Sequence, residues 1–386
     1  MSFSHHWRLN PNIDYLNHGS FGAAPRVVLD AQRALTESLE RDPIRFLAPE
    51  RELIPKLDRV RARIAELVNA SAESIGFVRN ATDGVNAVLR SMDLQKDEEV
   101  LITNHGYNAC NNAVRFATER SHAHTRTIDI PFPIEHEDQV VCCVENAFNE
   151  QTKLLVIDHV TSPTGLVFPI KRIIELARKR DIRVLVDGAH APGMIAVDLE
   201  HLQPDYYTAN HHKWLCAPKA SGFLYVDTRW QNEVRPTVIS HGANCSSTKR
   251  SRFLKEFDWV GTYDPTPILS VPYAIDFLEG LMPGGLQELM QRNREHTLRA
   301  QQILADSLKI EPPAPATMIG SLASVPLPFH GGGAEEDALR FQRSLYDEHR
   351  IEVPIFRGPS SNSWLLRISI QAYNDISQIE RLANVM

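Results

Sequence analysis

An apolar run, KLLVIDHV at Lys153–Val160, precedes a helical pattern at Pro169–Arg180 and a second apolar run, RVLV at Arg183–Val186. Short apolar runs that alternate with helices are typical of parallel strands buried between helical layers. The stretch therefore predicts one strand–helix–strand unit. It favours an α/β fold built on a mostly parallel sheet flanked by helices.

The same alternation extends outward from this unit. Further strands are predicted at 99–103, 205–208 and 221–226, and helices at 26–40, 50–69 and 108–120. After Gly261 long helical patterns dominate, at 267–279, 286–308, 335–349 and 377–384, with strand candidates at 318–325, 351–355 and 365–370. We therefore predict a segment 1–25 that joins the small domain and the active site, a large domain 26–262 and a smaller α+β domain 263–386.

Composition excludes several classes of protein. The 386 residues carry 41 basic and 48 acidic side chains, a formal charge of −7 with no basic block, so no nucleic-acid partner is expected. No run of 18 apolar residues occurs, so no membrane span is expected either. Five cysteines without a C-x-x-C spacing favour a reducing, cytoplasmic setting over disulfides or zinc sites. The first seven residues lack the pattern of a signal peptide.

Reactive side chains follow several of the predicted strands. Asp187 ends one run, Lys213 follows another, and His105 and Tyr107 follow a third. Because ligands in open α/β sheets bind beyond the carboxyl ends of the strands, we expect these groups to converge on one crevice.

This set of groups suits pyridoxal phosphate. The cofactor needs a lysine amine for its aldehyde, a carboxylate for its ring nitrogen and helix N-terminal amides for its phosphate. Lys213 supplies the amine, and Asp187, 26 residues earlier, supplies the carboxylate. The stretch Asn80–Gly84 precedes a helical pattern, with Thr82 as a plausible N-cap.

The segments VDGAH at 186–190 and NHHKWLCAPK at 210–219 resemble the signature of class V aminotransferase-like enzymes, which are pyridoxal-phosphate enzymes of fold type I. The opening YLNHGSFG at 15–22 resembles the isopenicillin N epimerase-like branch, which also contains carbon–sulfur lyases. The resemblance covers nearly the whole chain. It implies a fold type I transferase whose cofactor is pyridoxal 5'-phosphate.

The resemblance implies a role for each matching residue at the cofactor. Lys213 is the lysine that links to the cofactor and moves the proton at the substrate Cα, and Asp187 pairs with the ring nitrogen. Phosphate contacts are implied for Ala81, Thr82, Asn210 and His212, and contacts near the cofactor O3′ for His190 and Ser162. Either Tyr107 or His105 covers the ring face, and Tyr107 is favoured. Tyr107 is also the candidate for the second catalytic acid of an epimerase.

Substrate and partner roles are implied as well. Arg367 resembles the arginine that binds the substrate α-carboxylate, although its alternating strand also suits a solvated face. Asn17 and His18 either reach the substrate or only fix the N-terminal turn. Thr262 resembles a threonine that reaches the phosphate of the other subunit, which implies a homodimer with shared sites.

The predicted reaction begins at the Cα of an amino acid. Epimerisation is the main hypothesis, with carbon–sulfur β-elimination or transamination as alternatives, because all three share their first half. A cysteine desulfurase is not expected, since no cysteine follows Cys245 and the stretch 356–363 offers no thiol. The substrate side chain is not specified by these motifs.

Other classes fit less well. A metal hydrolase lacks H-E-x-x-H, a serine hydrolase has only HGGG at 330–333 without a G-x-S-x-G elbow, and both nucleotide-binding glycine motifs are missing. A non-catalytic regulator on the same fold is disfavoured because Lys213 and Asp187 are both retained. No metal site is expected.

Overall fold

The structure, a computed structural model, describes residues 3–329, 334–359 and 363–386. The HGGG stretch at 330–333 lies outside these ranges. The strands are β1 (Asp14–Tyr15), β2 (Ile75–Val78), β3 (Glu99–Thr103), β4 (His124–Ile128), β5 (Thr152–Asp158), β6 (Arg183–Asp187), β7 (Tyr206–Asn210), β8 (Gly222–Val226), β9 (Leu322–Leu327), β10 (Ile351–Glu352), β11 (Ile355–Arg357) and β12 (Trp364–Ser369).

The helices follow the same numbering along the chain. They are α1 (His18–Phe21), α2 (Arg26–Arg41), α3 (Pro43–Leu47), α4 (Ile54–Leu67), α5 (Ala81–Ser91), α6 (Asn108–Ser121), α7 (Glu137–Ala147), α8 (Ile170–Arg178), α9 (Leu199–Leu202), α10 (Arg252–Asp258), α11 (Thr266–Leu269), α12 (Val271–Gly280), α13 (Gly285–Leu308), α14 (Ala334–Asp347) and α15 (Ile376–Ala383). Among the described residues, no helix combines the length and the apolar character needed to cross a bilayer.

A seven-stranded sheet forms the centre of the described structure, in the order β2-β8-β7-β6-β5-β3-β4. Strands β4, β3, β5, β6 and β7 run parallel, and β8 is antiparallel to both of its neighbours. The predicted mostly parallel α/β sheet is therefore confirmed. Since parallel strands share one carboxyl edge, the ends of β3, β5, β6 and β7 open onto the same side of the sheet.

The sheet is covered because its flanking helices each present an apolar stripe. In α8 the buried residues Ile170, Ile173, Ile174 and Ala177 recur at helical spacing and join the main hydrophobic core. Burying such a stripe stabilises the helix far more than its intrinsic propensity does. The strands themselves are buried along nearly their whole length, as expected for a sheet with helices on both faces.

A smaller antiparallel sheet, β11-β12-β9, lies in the C-terminal part of the chain and packs against α13. The N-terminal strand β1 pairs in parallel with β10, and Asn17 bridges to Ser369 at the end of β12. The opening segment of the chain is thus held by the C-terminal part, next to the strand that carries Arg367.

A predicted helix and a predicted strand are each divided in the structure, and a proline lies at each of the two breaks. The helix expected at 267–279 is split into α11 and α12, because Pro272 has no amide to continue the ladder. The strand expected at 351–355 becomes β10 and β11, which pair with different sheets on either side of Pro354.

Candidate active site

The side chains of Lys213 and His190 meet at the carboxyl edge of the large sheet. Lys213 follows β7 and is only 9% exposed, and its Nζ lies 2.8 Å from Nε2 of His190. The indole N–H of Trp214 donates to Nδ1 of His190 at 3.2 Å. A neutral imidazole that accepts at Nδ1 carries its proton on Nε2, so Nε2 donates to the lone pair of an uncharged amine. The contact therefore favours the neutral form of Lys213.

The electrostatics agree with this assignment. Burial lowers the pKa of Lys213 to about 8, and the nearby Asp187 carboxylate limits the decrease. Burial and then the Lys213 charge hold the pKa of His190 well below its usual value. This corner of the site consequently contains an amine that can release and accept a proton near neutral pH.

Asp187 ends β6 and is almost fully buried. Its Oδ1 accepts the amide of Ala189 at 2.9 Å, and its Oδ2 accepts the thiol of Cys110 at 3.1 Å. A second carboxylate, Asp158, ends the neighbouring strand β5. Sequence analysis assigned no role to Cys110 or Asp158. The sequence did contain an indication of Asp158, because two predicted strands each carry an aspartate near the carboxyl end. Parallel neighbouring strands place their last residues side by side.

The N-terminus of α5 faces this edge. Gly84 allows the helix to approach β7 closely, because a Cβ there would lie 2.1 Å from Oγ1 of Thr208. The amide of Ala81 donates to Oδ1 of Asn210, and the amide of Asp83 donates to its N-cap, Asn80. Ala81 and Asn210 therefore bind each other in this structure, and their expected phosphate contacts remain predictions.

Groups at the start of α5 and directly before Lys213 are open to an anion. The amide of Thr82 has no hydrogen-bond partner among the residues that the structure describes. The Nδ1 of His212 is buried and likewise has no partner within the described part of the chain. An open amide at a helix N-terminus and an orphaned imidazole nitrogen fit a phosphate group. The residues present are thus compatible with the phosphate end of pyridoxal phosphate.

The structure distinguishes between the two candidates for the ring face. Tyr107 stands at the start of α6 and is 45% exposed, and its ring centroid lies 6.0 Å from Nζ of Lys213. His105 is fully buried, with Nδ1 2.8 Å from Oγ1 of Thr164 and Nε2 3.1 Å from the carbonyl of Ile130. Both ring nitrogens of His105 therefore bind within the protein, which leaves Tyr107 as the aromatic ring at the site.

Arg367 lies in the middle of β12 and is 1% exposed, so the alternative of a solvated strand face is wrong. One terminal nitrogen donates to the carbonyl of Ser162 at 2.7 Å and to its hydroxyl at 3.2 Å, and the other donates to Oγ of Ser20 at 3.1 Å. Among the described residues, no carboxylate lies within ion-pair distance. Burial lowers the pKa of Arg367 to about 9, so the guanidinium stays charged at neutral pH.

The N-terminal segment positions Arg367. Asn17 donates to Glu352 at 2.8 Å and accepts the hydroxyl of Ser20 at 2.5 Å. Ser20 in turn accepts from Arg367, so a chain of four side chains fixes the guanidinium. Asn17 therefore acts through Ser20. Ser162, which was expected near the cofactor O3′, also contacts Arg367.

His18 does not present a free nitrogen to a substrate. Its Nδ1 accepts from the hydroxyl of Tyr373 at 2.8 Å, and its Nε2 donates to the carbonyl of Lys213 at 2.9 Å. The expectation of substrate contact is corrected, because both nitrogens bind within the protein. Beside it, Gly22 has φ +67° and no room for a Cβ against the carbonyl of His212. The N-terminal turn thus packs directly on the lysine segment.

Thr262 lies in the loop between α10 and α11 and is exposed. Its expected contact with a partner subunit is not tested within a single chain. Groups of three or more residues able to hold a metal ion are not found in the described ranges.

Comparisons with known proteins point to one family. The family model for class-V aminotransferases matches residues 15–382. An isopenicillin N epimerase from Amycolatopsis lactamdurans is 35% identical, over 98% of this chain and 95% of the relative. A probable chloroplastic L-cysteine desulfhydrase from Arabidopsis thaliana is 30% identical, over 100% of this chain and 84% of the relative. A mutant of the lyase C-DES, with glycine covalently linked to its pyridoxal phosphate, superimposes with a TM-score of 0.81 at 23% identity, covering 100% of this chain and 98% of the other.

Proposed function

The chain belongs to the class-V aminotransferase family, and from this premise we propose that it epimerises an α-amino acid at Cα. It is a pyridoxal-phosphate enzyme similar over nearly its full length to isopenicillin N epimerases. The observation that carries the proposal is the buried amine of Lys213, whose lone pair accepts from His190 at 2.8 Å. A neutral amine in a closed site is the base that Cα chemistry requires.

Each end of the site has a separate task in this proposal. Arg367 binds the α-carboxylate through donors that now contact only neutral oxygens of Ser162 and Ser20. Pyridoxal phosphate, when bound, supplies a positively charged ring that withdraws electrons from Cα. Asp187 keeps the ring nitrogen protonated, and Lys213 takes the proton from Cα. His190 holds the amine in place before the cofactor binds.

Epimerisation also needs a proton donor on the face opposite Lys213, and we assign this role to Tyr107. Its ring stands over the site, and its phenol is close enough to Arg367 to influence the charge of that guanidinium. The phenol can therefore return a proton to Cα from the side that the lysine does not reach.

A carbon–sulfur lyase is the second candidate. It is favoured by the full-length similarity to a probable L-cysteine desulfhydrase. Such a lyase uses the same base, the same carboxylate clamp and the same cofactor contacts, and it expels a sulfur group from Cβ in place of returning the proton. Transamination is a further alternative within the family.

Cysteine desulfurase activity is excluded in our proposal. The chain has no cysteine after Cys245, and Cys110 and Cys216 are buried in the large domain. Within the stretch 356–363, which contains no cysteine, residues 360–362 lie outside the described ranges. Incubation with cysteine should therefore leave no persulfide on the protein.

The deciding experiment is an amino-acid screen in D2O with the cofactor-loaded protein, followed by proton NMR and chiral chromatography. Deuterium at Cα together with inversion supports the epimerase, and release of pyruvate supports the lyase. If neither exchange nor elimination occurs with any tested amino acid, the proposed function is wrong. Tyr107→Phe separates the two reactions, because it should stop inversion while proton abstraction by Lys213 continues.

We also propose a homodimer with shared sites, in a reducing cytoplasm. The exposed Thr262 and the exposed apolar side chains Val238 and Ile239 support the homodimer. The five unpaired thiols support a reducing compartment. Light scattering should give twice the mass of 43.6 kDa. Thr262→Ala should weaken phosphate binding, whereas a monomeric, fully active protein would contradict the dimer.

A further inference from the structure

Two buried carboxylates stand side by side under the site. Asp158 and Asp187 are the last residues of adjacent parallel strands and are register partners, so their side chains point to the same face of the sheet. They are 6% and 3% exposed. Two carboxylates in such a position cannot both ionise without a large electrostatic cost.

Hydrogen-bond donors distinguish the two groups. Both oxygens of Asp187 accept a donor, from the amide of Ala189 and from the thiol of Cys110. The backbone amide of Tyr107 acts to lower the pKa of Asp158, but burial and the charge of Asp187 outweigh it. The donors directed at Asp187 stabilise a negative charge there.

The described residues packed around the pair include a cation that acts on both carboxylates. This cation is Lys213, and burial lowers its pKa to about 8. Tyr207 on β7 is neutral, since burial raises its pKa well above the usual value, and its hydroxyl bonds Nδ1 of His159. Burial, together with the charge of Asp187, raises the pKa of Asp158 well above its usual range.

We propose that Asp158 and Asp187 share one negative charge, which Cys110 and the Ala189 amide hold on Asp187, so that Asp158 and Cys110 are positioning residues for the cofactor's ring nitrogen. This inference rests on the proposed function, because it takes Asp187 as the partner of that nitrogen. Asp158 stays uncharged, while the thiol of Cys110 stabilises the charge of Asp187 at Oδ2.

The test is a double-mutant cycle on cofactor affinity, measured by fluorescence titration of the apoprotein. Asp158→Asn replaces an uncharged acid with an uncharged amide, so the Kd for pyridoxal phosphate should change less than about twofold. In Asp187→Asn the remaining acid is free to take the charge. The same Asp158→Asn change made in that background should therefore raise the Kd about tenfold. An equal factor in both backgrounds overturns the shared charge.

Cys110 is tested by NMR of the bound cofactor labelled with nitrogen-15 in its ring. Cys110→Ala removes the thiol donor from Asp187, so the ring nitrogen signal should move toward the value of an unprotonated ring. Cys110→Ser keeps a donor and should leave the signal unchanged or move it the opposite way. Identical signals for the alanine variant, the serine variant and the unmodified protein overturn the role of Cys110.

The ring nitrogen signal of Asp187→Asn distinguishes a failure of the proposed function from a failure of the shared charge. If it matches that of the unmodified protein, Asp187 is not the partner of the ring nitrogen and the proposed function loses its electron sink. If it differs while the Asp158 and Cys110 variants fail their tests, only the present inference is wrong.

Discussion

Lys213 and Arg367 are both buried cationic side chains, but their surroundings differ. Lys213 lies among titratable groups, with His190 at 2.8 Å from its Nζ and the carboxylate of Asp187 close by. Arg367 contacts hydroxyls, a carbonyl and the ring of Phe356, and no carboxylate pairs with it in the described ranges. Burial lowers the pKa of both, to about 8 and about 9.

The difference in surroundings suits the proposed roles of the two side chains. Lys213 has to release and accept a proton, whereas Arg367 has to keep its charge. A lysine with a pKa near 8 is partly neutral at physiological pH and can serve as a base. An arginine remains charged and keeps donors available for a carboxylate. Leaving a charge unpaired in the interior costs free energy, and a substrate carboxylate would offset that cost on binding. In the proposed mechanism the large sheet thus carries the chemistry, and the C-terminal sheet carries recognition.

Lys213→Ala tests the chemical side with the largest expected effect. Loss of the base should lower kcat by at least about 10³-fold, since positioned proton transfer contributes 10² to 10⁴ and the covalent attachment is lost too. The loss is measured as turnover of whichever amino acid the screen identifies. The exposed Lys96 offers a control, and Lys96→Ala should retain full turnover. Near-normal kcat in Lys213→Ala would remove the lysine from the mechanism.

The pH dependence of cofactor capture tests the neutral amine. Only the unprotonated lysine attacks the aldehyde, and its fraction falls about tenfold per pH unit below a pKa of about 8. Capture by the apoprotein, followed by absorbance, should therefore rise about 50-fold from pH 6 to pH 8, gain about a further twofold above pH 8 and then level off. A profile that keeps rising to pH 10 would indicate an ordinary, solvated lysine.

Arg367→Lys tests recognition while keeping the positive charge. A lysine cannot make two parallel hydrogen bonds to a carboxylate, so KM should rise by about 10- to 100-fold, the equivalent of roughly 1.5–3 kcal/mol. The kcat should change much less, because the base and the cofactor contacts remain. Steady-state kinetics would contradict the assignment if kcat fell and KM stayed constant.

Ser20→Ala is expected to give the smallest effect. It removes one of the contacts that orient Arg367 and breaks the link to Asn17, so KM should rise about 3- to 10-fold at nearly constant kcat. Ser307→Ala removes a comparable hydroxyl bond, to the carbonyl of Ala383 far from the site, and should leave KM unchanged. Equal KM values for both variants would show that the chain through Asn17 does not position the guanidinium.

Much of the large sheet follows from the sequence, because strong apolar runs fix its central strands. The predicted bounds of β3 agree with the structure, and those of β5 and β6 differ by one or two residues. Strand β4 (HTRTI) was not predicted, since an edge strand with polar residues lacks that signal. The short strand β2 and helix α10 were missed because each is too brief for periodicity to identify.

Site residues that belong to sequence motifs were easier to predict than residues whose role depends on tertiary contacts. Lys213, Asp187 and His190 stand in the quoted signature segments, and the structure brings the first two to the same edge of the sheet. The bonds of His18 to Tyr373 and of Cys110 to Asp187 join residues 355 and 77 positions apart. Spacing along the chain gives no indication of such pairs, so their supporting roles required coordinates.

The most direct test of the account is to fix the cofactor in the loaded protein with borohydride and to map the modified peptide by mass spectrometry. We predict one pyridoxyl-phosphate group per chain, on the Nζ of Lys213. A group on another lysine, or a protein that carries none, would contradict the central claim that the buried amine beside His190 is the one that reacts.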